Sequence, residues 1–94
     1  MKRIPEGLKF EDLTDEQKRV LTFAYQRWEA ACQTMHSRLV ADRVSATFFE
    51  AQSEEQVIEQ ELWELGLLAR IPTQGHKAYG YQISYDGAPF VGRV

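Results

Sequence analysis

The apolar pattern changes period at Gly66, from a helical stripe to strand alternation. Before Gly66, Ile58, Leu62 and Leu65 fall on one helical stripe. That stripe starts behind Ser53-Glu54-Glu55-Gln56, a capping box in which Ser and Gln satisfy amides at a helix start. Gly66 supplies the stop, because glycine enters the left-handed conformation at a helix end without steric cost. After it, Lys77, Tyr79, Tyr81, Ile83 and Tyr85 share one face, while Ala78, Gly80, Gln82 and Ser84 share the other. Period-two alternation of that kind is a strand signature. With Leu67-Leu68-Ala69-Arg70-Ile71 ahead of it and Pro72-Thr73-Gln74-Gly75 between, the pattern predicts a hairpin that ends at Asp86-Gly87.

Upstream, Thr14-Asp15-Glu16-Gln17 is another capping box, and Val20, Leu21, Ala24, Trp28, Ala31, Cys32 and Met35 follow on one broad face. This predicts a helix over about residues 15–35. His36-Ser37 is a break. Residues 38–51 read as helical again through Val40, Val44 and Phe48, as one helix or two. Residues 1–13 form an arm whose Phe10 and Leu13 tuck onto the body. Residues 87–94 are a tail with room for a short extra strand. The chain has 94 residues, 44% of them hydrophobic, and eleven Phe, Trp and Tyr, enough for one small core. The expected fold is a small α+β domain over residues 14–86, three or four helices followed by a two-stranded hairpin.

That order, with Ile58-x-x-x-Leu62-x-x-Leu65-Gly66-Leu67-Leu68 running straight into the hairpin, resembles the winged helix-turn-helix superfamily. The resemblance implies that residues 53–65 are a recognition helix and that the hairpin is a wing. The tight turn usual before such a helix is not evident between Ser45 and Gln52.

Charge bears on whether this helix reads DNA. The whole chain carries a net charge of −3, and residues 52–70 hold five glutamates against Arg70 alone. Neutralising phosphates supplies most non-specific DNA affinity, and no Lys or Arg lies between Ser53 and Ala69. Gln56 and Gln60 have the chemistry to read adenine, with His76 and Lys77 on the wing and Arg70 at its base. Further cations are Lys18, Arg19 and Arg27 on the first helix, and Lys2, Arg3 and Lys9 on the arm. A DNA-binding regulator using these residues is the alternative reading. The electrostatics favour a protein-interaction module, an adaptor or inhibitor whose acidic third helix docks on a partner's basic surface. With Ile58, Leu62 and Leu65 inward, the docking residues are Glu55, Glu59, Gln60, Trp63 and Glu64, with Trp63 as an outward apolar anchor. The plainer accounts are a solvated acidic face and a Trp63 packed under the wing or against the arm. Glu61 and Glu64 sit near the helix C-terminus, where the macrodipole disfavours negative charge.

Nothing in the pattern points to catalysis. His36 and Ser37 are adjacent, a poor geometry for a nucleophile–base pair. One Cys and two His are too few for a four-ligand Cys/His zinc site. Gly75, Gly80 and Gly87 punctuate the hairpin and form no phosphate loop. No enzyme activity, metal or cofactor is expected. No apolar run reaches the 18 or so residues of a membrane span, and Met1-Lys2-Arg3-Ile4-Pro5 opens no signal peptide. A cytoplasmic location is expected. The long first helix also offers a route to a homodimer, with Phe23 and Tyr25 off its main stripe.

Overall fold

Both capping boxes form, one completely and one in part. In the computed structural model, which describes residues 3–34, 46–50, 52–71 and 80–92, Thr14 Oγ1 accepts from the Gln17 amide at 3.1 Å. The Gln17 side chain accepts from the Thr14 amide at 3.0 Å. Helix α1 follows as Asp15–Thr34. Val20, Leu21, Ala24 and Ala31 on it are buried, with Trp28 partly so. Met35 lies outside the described residues. Ahead of α1, a single 3-10 turn over Phe10–Asp12 brings Leu13 into the core, and Phe10 packs against it, as expected of the arm.

Helix α2 spans Glu54–Glu64. Ser53 Oγ accepts from the Gln56 amide at 3.2 Å. Gln56 reaches back to the amide of Gln52, not that of Ser53, so the second box closes one residue early. Its C-terminal end is a Schellman motif. The Gly66 amide donates to Trp63 O and the Leu67 amide to Leu62 O, each at 3.0 Å, while Gly66 takes φ +77. Leu62 and Leu67, the pair that this motif brings together, are both fully buried. Gly66 is needed on a second count. A Cβ there would lie 2.7 Å from Arg3 C and 2.8 Å from Ile4 N, because the arm crosses over this corner.

The hairpin is antiparallel. Strand β1 (Leu68–Ile71) pairs with β2 (Gly80–Ile83) in the register Leu68↔Ile83 and Arg70↔Tyr81. The turn and the expected strand start, residues 72–79, lie outside the described residues. Tyr81 and Ile83 face the core, as the alternation predicts. Tyr85 does not continue that face. The strand stops at Ile83, and Tyr85 is 78% exposed in the turn beyond.

Two expectations need correction. Residues 46–50 are not helical. Thr47 bridges the far edge of β2, exchanging backbone hydrogen bonds with Tyr81 at 2.8 and 3.0 Å. Tyr81 is fully buried, and its backbone polar groups need partners there. The four-residue spacing ending at Phe48 mimicked a helix, and the rest of that stretch lies outside the described residues. The described part of the tail, in turn, is not a strand. Gly87–Gly92 is a short helix, α3. Ser84 Oγ accepts from the Gly87 amide and donates to Gly66 O, both at 2.8 Å, tying α3 to the end of α2. Ala88 is buried, and Phe90 meets Phe10 edge-on with centroids 6.4 Å apart.

The described architecture is thus a mixed α+β domain in which α1 packs on α2 and on β2, and α2 packs on β1. One cluster holds it together: Leu13, Val20, Leu21, Ala24, Ile58, Leu62, Leu67, Leu68, Tyr81, Ile83 and Ala88.

Candidate functional site

The rotation of α2 about its axis decides which of its glutamates can meet a partner. The helix buries Ile58, Glu59 and Leu62. That arc is wider than the Ile58–Leu62–Leu65 stripe and takes in the residue beside Ile58. Glu59 is 1% exposed, so its placement on the outward docking face is corrected. Its Oε2 accepts a short hydrogen bond from the Thr47 hydroxyl, and its Oε1 is buried without a hydrogen-bond partner. Burial pushes its carboxyl up to about 7, and the nearby charge of Glu55 adds to the rise. The Thr47 hydroxyl pulls the other way. A carboxyl that keeps its proton loses far less by leaving water than a carboxylate does.

The remaining residues divide by face. Glu54, Val57, Gln60, Glu61 and Glu64 are exposed, with Val57 49% open to solvent. Glu55 is half-buried in a cleft shared with Arg19, Val20, Phe23 and Phe49. Gln56 is half-buried and occupied with capping. Trp63 is half-buried against the core, and the Arg70 guanidinium lies 3.6 Å from its ring centroid. This is cation–π stacking, so Trp63 packs beneath the hairpin and does not stand out as an anchor.

Arg70 is held from a second side. Its Nε donates to the Tyr81 hydroxyl at 3.2 Å. It joins α2 to the hairpin, which leaves it poorly placed to reach out to a phosphate. His76 and Lys77 lie outside the described residues. The structure therefore brings Gln60 and Glu64 together on one open face, and it separates Glu55, Glu59 and Trp63 from them. Sequence reasoning missed Val57, the exposed apolar residue at the centre of that face. The signal was its position, one before Ile58 and turned away from the Ile58–Leu62 arc. It also missed Thr47, which no local pattern could have linked to Glu59.

Among the described residues, no three His, Cys, Asp or Glu side chains gather where a metal ion could bind. No helix among them is long and apolar enough to cross a membrane. Comparison with protein-family models, with curated proteins and with solved structures finds no match.

Proposed function

We propose that this chain is a non-enzymatic interaction module of winged-helix type, acting as an adaptor or inhibitor through the solvent face of α2. The observation that carries the reading is the make-up of that face. Glu54, Glu61 and Glu64 surround Val57 and Gln60, and the helix contains no Lys or Arg. The winged-helix likeness rests on the run from α2 through Gly66 into an antiparallel hairpin. In a DNA-reading member of that superfamily, the corresponding helix would enter a major groove. Three exposed carboxylates would there meet phosphates of the same sign, which opposes the main source of affinity. A basic protein surface meets the same face favourably, with Val57 filling an apolar contact at its centre. Such a module competes with nucleic acid for its partner's basic groove.

The test is an NMR titration of the labelled chain, with an arginine-rich peptide and with random-sequence duplex DNA, at about 50 mM and about 200 mM salt. The expected result is peptide-induced shifts confined to the amides of Glu54, Val57, Gln60, Glu61 and Glu64, and no binding of DNA. Duplex binding with a steep salt dependence, mapping to Lys9, Lys18 and Arg19, would replace this reading with that of a DNA-binding regulator.

A further inference from the structure

Phe23 stands on α1 as a ridge between two clefts. It is 45% exposed, and the Arg27 guanidinium lies 5.7 Å from its ring centroid. On one side the cleft is lined by Val20, Phe49, Arg19 and Glu55. On the other it is lined by Phe10, Asp15, Lys18, Thr22 and Gln26. Tyr25 has a different fate, because it is half-buried against the core and packs on Trp28 at 6.0 Å. Phe23 is thus the large apolar side chain that α1 turns to solvent. The first cleft, about 210 Å³, is smaller than the usual small-molecule site. Phe23 is an aromatic knob beside a cleft walled by Val20 and Phe49.

We infer that this face binds a second copy of the chain about a two-fold axis, with Phe23 of each copy entering the Val20–Phe49 cleft of the other. The choice of occupant follows from charge. Both signs line these clefts, with Arg19 beside Glu55 in one and Lys18 and Arg19 beside Asp15 in the other. A uniformly basic or acidic partner would meet like charge on half of that rim. A second copy related by a two-fold presents the same patch inverted, with both signs of charge on it, so the proposed pairing is Arg19 of one copy with Glu55 of the other. This surface is separate from the solvent face of α2, so a dimer leaves the acidic face open, and each reading can fail without the other.

Sedimentation velocity on the full chain, from about 10 µM to about 1 mM, tests the inference. The expected result is a mass rising from the 10.9 kDa of one chain toward twice that value. Phe23→Lys weakens the association by about tenfold or more, as loss of a central aromatic contact does. Arg19→Glu and Glu55→Arg each weaken it, and the two together restore it. Thermal melts of each variant report whether the fold is intact. A chain that stays monomeric up to about 1 mM overturns the inference. So does association that Phe23→Lys leaves unchanged. If Phe23→Lys fails to fold, the charge pair decides alone, and no recovery in the double exchange overturns it.

Discussion

Helices α1 and α2 begin alike and end up differently seated. Each starts behind a hydroxyl cap followed by two acidic residues and a glutamine. Yet α1 buries only apolar side chains at its centre, whereas α2 buries a carboxyl group between Ile58 and Leu62. A cap fixes where a helix starts by satisfying its first amides, and it says nothing about rotation. Rotation is set by what lies opposite. Opposite α1 are the apolar faces of α2 and β2; opposite α2 is also Thr47, whose hydroxyl meets the Glu59 carboxyl. A polar side chain fits the core there because a polar partner reaches it from 12 residues away in the chain.

Removing a matched pair of leucines tests where the two helices are the same. Leu21 on α1 and Leu62 on α2 are both 0% exposed. Leu21→Ala and Leu62→Ala should each cost about 2–5 kcal/mol in urea unfolding. A clear excess at Leu62 would mean that its loss also unseats the neighbouring Glu59.

Glu59→Gln tests where they differ, and its effect depends on pH. The Glu59 carboxyl titrates near 7 in the fold, against an ordinary value of 4.5. Below about pH 4.5 both states hold the proton and the burial carries no ionisation penalty. Between about 4.5 and 7 the unfolded chain releases the proton while the fold keeps it, so stability falls as pH rises. Above about 7 the loss is complete and amounts to about 3 kcal/mol. The amide of Gln does not titrate, so that fall should be missing from its stability profile. Parallel profiles for the two proteins between about pH 4.5 and 8 would show that Glu59 holds no proton beyond the ordinary range.

The caps give the smallest effect. Thr14→Ala should cost about 1 kcal/mol. Ser53→Ala should cost about the same, since each helix keeps its glutamine back-reach, from Gln17 to the amide of residue 14 and from Gln56 to that of Gln52. A clear difference between the two in thermal melts would show that it matters whether the glutamine closes on the cap's own amide or on the residue before it.

What could be read from the sequence was local in origin. Thr14–Gln17, Ser53–Gln56, the Gly66 stop and the pairing of Leu68–Ile71 with Gly80–Ile83 each depend on neighbours or on a simple alternation. What could not be read depends on distant parts of the chain. Thr47 leaves helical spacing because buried Tyr81 offers it a strand edge. Glu59 goes inward because Thr47 is there. The tail becomes α3 because Ser84 meets both the Gly87 amide and the Gly66 carbonyl. On the candidate face, Gln60 and Glu64 were legible from helical spacing alone. Trp63 as an outward anchor was not, and its packing under the hairpin matches the plainer account, with Arg70 of β1 on its ring.

The crossing of the arm over Gly66 bears on the order of events during synthesis. Arg3 and Ile4 are made before Gly66, and the corner they cover does not exist until synthesis has passed Gly66. Contacts so distant in sequence form late. This segment, made before α1, is therefore among the last to dock. Until it does, the Gly66 junction between α2 and the hairpin lacks the cover of Arg3 and Ile4.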